Sequence, residues 1–309
     1  MSDVGNTATR NGMGSVSDVA VDAPVAGERQ QGSALAFLRA CGVAAWLEYR
    51  NLRYYPSNLA LAGVQELTAV GVWYFTARFL DAGASASVAQ YGGNYLAYVV
   101  IGVLLNQICL AALNGPFTTI SDAFWDKRLE TYRLSINGIW ANVLGRLVWD
   151  VGFSLALQGV ALVVLLFVGG LGLSADINIP VALLVCLLLV AANAGLGIAG
   201  ASLFFLLEVK SGQDPITWAY RYLVMLVSGL YVPLTILPGW LRAIGSVLPQ
   251  TYGFAAVRAL VLTGADPRLI AGGIVGLLVT SALACVSGLG MLAWALRRAE
   301  RRGGIGVVV

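Results

Sequence analysis

Charged and strongly polar side chains are scarce in this chain, so each one that falls in an apolar segment needs a reason. Lys and Arg together number 19 and Asp and Glu 16 among 309 residues, and there is no histidine. Without histidine no Ser-His-Asp or Cys-His nucleophile can be built, and metal centres lose their commonest ligand. The four cysteines, Cys41, Cys109, Cys186 and Cys285, stand singly in apolar segments without CxxC spacing. They read as small buried hydrophobes rather than a disulfide or metal framework. No metal site is expected. Glu66, beside Gln65, lies near the middle of an apolar run, where an ionised carboxylate costs about 3 kcal/mol and must face a cavity or a partner. Lining a transport pathway and making a buried structural hydrogen bond both meet that need. Arg146 and Asp150 are one helical turn apart and form a local ion pair without further function. Asn106, Gln107, Asn114, Gln158 and Asn193 suit the binding of apolar helices to one another.

Neither of two nucleotide signatures holds in this chain. Residues 195–200 spell GxGxxG, the dinucleotide fingerprint, but inside an apolar segment with no preceding strand and no acidic residue at the required distance. Small residues that let helices approach closely explain it better, and Gly272, Gly273 and Gly276 invite the same interpretation. No GxxxxGK[ST] occurs, and the only lysines are Lys127 and Lys210. A P-loop needs its lysine after a glycine-rich turn, so no ATP site of that kind exists in this chain.

The elements that must position these residues are set by composition. The chain is 58% hydrophobic and 11% charged, with a mean hydropathy of +0.79. Soluble domains carry about a quarter charged residues; this is the composition of an all-α integral membrane protein. A net charge of +3 is too small to imply nucleic acid. No charged n-region, apolar core and cleavage site opens the sequence, so no cleaved signal peptide is expected. Residues 1–31, rich in Ser, Gly, Asn, Asp and Ala, read as a disordered cytoplasmic tail. Residues 32–302 read as one membrane domain without a strong internal repeat, and 303–309 as a short tail. A helix over 33–55 mixes Trp46, Tyr49, Tyr54 and Tyr55 with Arg39, Glu48, Arg50 and Arg53, which suits the membrane interface. Pro56 ends it. Six apolar segments follow, at 58–80, 95–115, 141–168, 179–207, 218–237 and 269–296. Each is long enough to cross about 30 Å of hydrocarbon.

The connections orient these spans. With the N-terminus in the cytoplasm, only Arg78, Arg242, Arg258 and Arg268 of the 19 Lys and Arg residues fall outside. That asymmetry satisfies the positive-inside rule and puts both termini inside. The loop at 116–140, PFTTISDAFWDKRLETYRLSINGIW, gathers Asp122, Asp126, Lys127, Arg128, Glu130 and Arg133 among Phe124, Leu129 and Tyr132. A short amphipathic helix of mixed charge there suits docking into a cleft on a soluble partner, and a solvated charged loop is the plainer alternative. Residues 208–214 form a smaller cytoplasmic loop.

Between the fifth and sixth spans the sequence breaks repeatedly. Pro233 and Pro238-Gly239 prevent a regular helix from continuing. Trp240, Leu241, Ile244, Val247 and Leu248 then form an apolar stripe with Arg242 off it. Pro249 ends that piece, and a second short helix carries Phe254, Val257 and Leu260 with Arg258. Neither piece has the roughly 20 apolar residues of a span, so the pair reads as a re-entrant hairpin at one membrane face.

These residues carry a family resemblance. Ser228-Gly229, Pro233, Leu237-Pro238-Gly239-Trp240-Leu241, Leu248-Pro249, Thr251-Tyr252 and Arg258 resemble the signature SGxxxPLxxLPGWLxxxxxxLPxTYxxxxxR of the ABC-2 permease family, the membrane subunits of type 2 ABC exporters. The resemblance covers roughly residues 35–298 and is strongest over 228–264. Leu129-Glu130 matches the Leu-Glu pair of the family's coupling helix. The usual Gly-Thr before it and the proline six residues later are missing, with Ile136 at the proline's place.

The resemblance implies a permease subunit, not itself an enzyme, that pairs with a second permease and with separate ATPase subunits. ATP and Mg would bind the partner ATPase, and this chain would bind no cofactor of its own. Phe124, Asp126, Lys127, Arg128, Glu130 and Arg133 would couple it to that ATPase. The helix before the first span would help seat the ATPase, or would serve as a plain anchor. The first, second and fifth spans would line the pathway, with Glu66, Asn106, Tyr231 and Pro233 as candidates. Pro238, Gly239, Trp240, Pro249 and Arg258 would form the outer gate. An amphipathic or hydrophobic substrate (a drug or antibiotic, a lipid or a lipid-linked glycan) would leave across a prokaryotic cytoplasmic membrane through mainly apolar contacts. A proton-coupled transporter or channel using Glu66 without an ATPase is the alternative. A membrane enzyme would need a cluster of nucleophile, base or metal ligands at one depth, and the sequence shows none.

Overall fold

The computed structural model describes residues 34–92, 94–126, 139–168, 171, 174, 176–207, 215–265 and 270–301. The chain divides into two units at residues 31 and 32, and the described residues all belong to the second. The expected tails at 1–31 and 303–309, the loop at 208–214, and Lys127, Arg128, Glu130 and Arg133 lie outside the described residues.

Every regular element among the described residues is helical. In chain order they are α1 (Ala34–Tyr54), α2 (Pro56–Ala84), α3 (Tyr95–Trp125), α4 (Trp140–Val168), α5 (Ile179–Leu207), α6 (Pro215–Val227), α7 (Gly239–Gly245), α8 (Pro249–Thr263) and α9 (Ala271–Arg301). Short 3-10 turns occupy Ser85–Tyr91 and Leu234–Ile236. Four helices are long and apolar enough to cross a membrane: Tyr95–Trp125, Trp140–Phe167, Ile179–Leu203 and Ala271–Arg298. They mark the chain as a multi-pass membrane protein. At 29 residues α2 is as long as its neighbours, but Asn58, Gln65, Glu66 and Arg78 interrupt its apolar run.

The most buried of these helices is α3, which packs against α2, α4, α5 and α8. Its start is fixed by Asn94, whose side chain accepts a hydrogen bond from the Ala97 N–H at 2.9 Å, the usual chemistry of an N-cap. Against expectation, α3 does not stop at Gly115. It runs through Pro116 to Trp125, so the first part of the anticipated loop is helical. Proline is tolerated inside such helices because neighbouring groups compensate for the lost backbone donor. Here Pro116 is buried in the packing, and the carbonyl it leaves without a donor is that of Ala112; the Thr118 and Thr119 hydroxyls bond instead to the Gly115 carbonyl.

Close helix approach explains part of the glycine pattern. A methyl at Gly195 would sit 2.7 Å from the Ala284 carbonyl oxygen of α9, and one at Gly197 would collide with the Leu113 carbonyl of α3. The GxGxxG run is therefore the seam along which α5 meets two other helices. The parallel reading for α9 needs correcting. Gly276 lies against the Tyr252 ring, but Gly272 and Gly273 face open space.

The fifth apolar segment is not one helix. The helical part, α6, has 13 residues and ends at Val227, six residues before Pro233. Gly229 takes φ +79°, a left-handed conformation that glycine adopts without steric cost. The chain then passes through the buried Pro233 and the Leu234–Ile236 turn to α7 and α8. Both short helices lie where the prolines place them, with Pro238 at the N-cap of α7 and Pro249 as the first residue of α8. Most of the apolar stripe on and just after α7 is exposed, while Leu241 is half-buried against the core. Trp240, Ile244 and Val247 are exposed, and only Leu248 is buried.

Candidate functional site

Two polar constructions stand out in this apolar fold, and their arginines differ in whether their hydrogen bonds are complete; beside the first, the buried Ser228 Oγ also lacks a partner among the described residues. The first is built around Arg258, which is 1% exposed on α8. A buried guanidinium without a carboxylate must spend its donors on other oxygens. Its Nε donates to the Tyr98 carbonyl at 3.0 Å, Nη1 to the Gly229 carbonyl at 2.7 Å, and Nη2 to the Leu230 carbonyl at 2.7 Å. Those last two carbonyls belong to the break after α6, so the arginine caps the chain where the helix stops. The Tyr98 ring lies under the guanidinium, 3.6 Å from centroid to Cζ, adding a cation–π contact. The Tyr98 hydroxyl donates to the Gly229 carbonyl at 2.7 Å. Gly102, one turn further along α3, leaves the room, since a methyl there would overlap Nη2 of Arg258.

Other residues of the 228–258 segment hold the turn between the short helices. The Thr251 hydroxyl donates to the Gly245 carbonyl at 2.6 Å, and the Tyr252 hydroxyl to the Ser246 carbonyl at 2.8 Å. Arg242 donates to the Leu234, Thr235 and Leu237 carbonyls. A buried side-chain relay lies behind α8. Tyr220 donates to Gln250 at 2.7 Å, Gln250 to Asn193 at 2.6 Å, and Asn193 to the Leu189 carbonyl at 2.8 Å. It joins α6, α8 and α5.

The second construction is a cavity of about 340 Å³ between α2, α3, α4 and α6. Glu66, Gln107, Asn114, Asp150, Gln158 and Arg221 give its polar lining, and Leu110, Phe153 and Leu157 its apolar walls. Gln107 Nε2 donates to Glu66 Oε2 at 3.1 Å. Glu66 Oε1, Gln158 Oε1 and Arg221 Nε are buried without a hydrogen-bond partner among the described residues. Glu66 is 9% and Gln158 5% exposed. Buried polar atoms are normally satisfied, so three orphans around one cavity mark a place where something else belongs.

A cleft of about 380 Å³ opens near the far end of α3, between α1, α3 and α4. Glu48, Asn51, Asp122, Asp126, Asn142 and Arg146 line it. Arg146 joins this cleft to the cavity. Its Nη1 lies 3.0 Å from Glu48 of α1 and its Nε 3.4 Å from Asp150, which lines the cavity. The expected i,i+4 pair is therefore present, with a third member on another helix. Gly115 makes room for it, since a methyl there would sit 3.1 Å from Asp150 Oδ2.

The residues singled out from the sequence are not all brought together. Glu66 lines the cavity. Asn106 is buried on α3 but does not line it, while its neighbour Gln107 does. Tyr231 lies elsewhere, stacked on Trp73 at 3.8 Å, with its carbonyl accepting from the Tyr95 hydroxyl at 3.2 Å. Pro233 is buried in the broken segment. Phe124 packs edge-on against Trp125 near the end of α3, and Asp126 caps that helix with its N–H on the Asp122 carbonyl. Sequence reasoning missed Arg221, counted only as a cytoplasmic charge, and took Gln107 and Gln158 as glue between helices. That they line one cavity shows only once the helices are in register. Compared with known proteins, the sequence matches no family model and no curated protein, so the functional reading rests on these residues and their geometry.

Proposed function

We propose that this chain is the permease subunit of an ATP-driven exporter of the ABC-2 type. One observation carries the reading. The two ends of the SGxxxPLxxLPGWLxxxxxxLPxTYxxxxxR pattern, which share no local reason to co-occur, are hydrogen-bonded to each other through Arg258 and the Gly229 and Leu230 carbonyls. The prolines, Thr251 and Tyr252 between them cap and close the two short helices. A pattern whose members depend on one another physically is better support than a string of matched letters.

On this reading α2 and α6 with its broken extension complete six spans, with both termini cytoplasmic. The α7–α8 hairpin re-enters the outer face of a prokaryotic cytoplasmic membrane and gates the pathway. Two such permeases, identical or different, pair with two ATPase subunits. The cavity supports this, because α2, α3 and α6 are three of its four walls, as the resemblance implies for a pathway. The cleft beside Asp122, Asp126 and Glu48 lies next to the segment that would meet the ATPase. ATP binding would close the ATPases and pull on that segment, and the Glu48–Arg146–Asp150 chain leads from there to the cavity wall.

The test is affinity purification in mild detergent with a co-expressed ABC ATPase encoded nearby. The expected result is a co-purifying, ATP-hydrolysing subunit that is lost or uncoupled in Glu130→Ala and Arg133→Ala. If the wild-type chain binds no ATPase, the exporter reading falls. The buried, half-satisfied Glu66 would then favour proton-coupled transport, read as Glu66-dependent proton uptake in proteoliposomes.

A further inference from the structure

We infer that the cavity between α2, α3, α4 and α6 seats a zwitterionic headgroup: a primary ammonium with an anionic oxygen a few bonds away, on an amphipathic molecule. This deepens the exporter reading and rests on it for the direction of travel. The argument starts from the three orphaned atoms. Glu66 Oε1 and Gln158 Oε1 are acceptors without donors, and Arg221 Nε is a donor without an acceptor. A group seated among them must therefore donate at least two hydrogen bonds and accept one.

Charge narrows the class. The Asp150 carboxylate that also lines the cavity is already paired with Arg146. Glu66 holds only the neutral Gln107 amide and makes no ion pair among the described residues. Among the described residues, the free charges facing the space are thus one carboxylate, Glu66, and one guanidinium, Arg221. A plain cation would be repelled by Arg221 and a plain anion by Glu66, whereas a zwitterion matches both. A quaternary ammonium has no N–H and a tertiary one a single N–H, too few for both Glu66 and Gln158; of those with two or more, the primary ammonium is the smallest and best supplied. A volume of about 340 Å³ lies at the lower end of the range for small-molecule sites, which suits a headgroup. Leu110, Phe153 and Leu157 offer a surface for the start of a hydrocarbon tail. The same chemistry occurs in a phosphoethanolamine lipid head and in a free long-chain amino acid.

The test uses the full chain in phosphatidylcholine nanodiscs, without ATPase, against protein-free discs as background. The probe is radiolabelled 2-aminotetradecanoic acid, and its N-acetyl derivative removes the ammonium while keeping the tail and carboxylate. Saturable binding of the parent is expected, at least about tenfold tighter than the acetylated probe, because hydrogen bonds to charged groups are the stronger class. Glu66→Gln and Arg221→Gln should each weaken the parent probe by about tenfold and bring the two probes closer together. Phosphatidylethanolamine in the discs would compete with the probe if the natural occupant is a lipid head. Lack of competition, with the probe contrast intact, points to a free amphiphile. Equal affinity of the two probes for the wild-type chain overturns the inference whether or not the variants fold, as does an unchanged affinity in both folded variants. Capture of the ATPase by the same preparation separates the two claims. Capture with equal probe affinities overturns only the headgroup, and probe discrimination without capture overturns only the exporter.

Discussion

Arg258 and Arg221 are both held in the helical body of one membrane protein, and they have opposite fates. Every nitrogen of Arg258 donates to a carbonyl, and an aromatic ring covers its face. Arg221 has a buried Nε without a hydrogen-bond partner among the described residues. The first pattern is that of a structural strut, because a charge costs several kcal/mol to bury and the cost is recovered only when each donor is used. The second is what the proposed headgroup site requires, a donor and acceptors left for an occupant to bond. Burial alone would have ranked the two the other way round. Hydrogen-bond completeness of the guanidinium is what separates the two arginines, since the buried Ser228 Oγ beside the strut is also without a partner among the described residues.

The contrast breaks most visibly at the strut. Arg258→Leu leaves the Leu230 carbonyl without its donor and removes the cap from the end of α6. A loss on the order of 3 kcal/mol is expected, read as a lower midpoint of thermal unfolding by tryptophan emission in nanodiscs. Gly102→Ala makes the same point without touching the charge. Its methyl would overlap the guanidinium, an overpacking cost of about 2 kcal/mol. Gly272→Ala is the paired control, because nothing lies within 4 Å of a methyl there and alanine is the better helix former. Equal shifts in the two glycine variants would mean that the strut is not under the packing constraint described.

The next effect is smaller and concerns the Tyr220–Gln250–Asn193 relay, which is satisfied in the same sense as Arg258. Gln250→Leu strands the Tyr220 hydroxyl and the Asn193 carbonyl oxygen, for an expected loss of about 2 kcal/mol. Adding Asn193→Leu should cost less than its own single-variant loss, since the partner it would strand is already gone. Strict additivity of the two would show that the relay does not act as a unit.

What could be read ahead of the structure followed from local chemistry. Pro238, Gly239 and Pro249 announced two short helices because proline restricts the backbone wherever it stands, and α5 was legible from its unbroken apolar run alone. The Arg146–Asp150 pair needed only helical spacing. The failures all involve partners distant in sequence. Pro116 looks like a terminator, yet α3 continues through it in buried packing. The end of α6 looks as if it belongs to Pro233, yet it comes at Val227, where the following carbonyls turn toward an arginine about thirty residues later. The stripe from Trp240 to Leu248 could be read from its spacing, but spacing fixes a face and not the direction in which it looks. The cavity was the least legible feature. Glu66 could be marked as costly from its depth, but its company of Gln107, Gln158 and Arg221 depends on how four helices are aligned.

The smallest predicted effect tests the other side of the comparison and has the opposite sign. Gln158 is 5% exposed, and its orphaned Oε1 contributes nothing to the fold while bearing the cost of being taken out of water. Replacing it with leucine, close in size, removes that cost and strands no partner that the structure records. The empty protein should therefore be unchanged or more stable by about 0.5–1 kcal/mol, read by the same unfolding midpoint. A glutamine of equal burial at position 250 should show a clear loss under identical conditions. If Gln158→Leu destabilises as much as Gln250→Leu, then Gln158 is holding the fold, and the distinction between strut and site fails at the residue where it is sharpest.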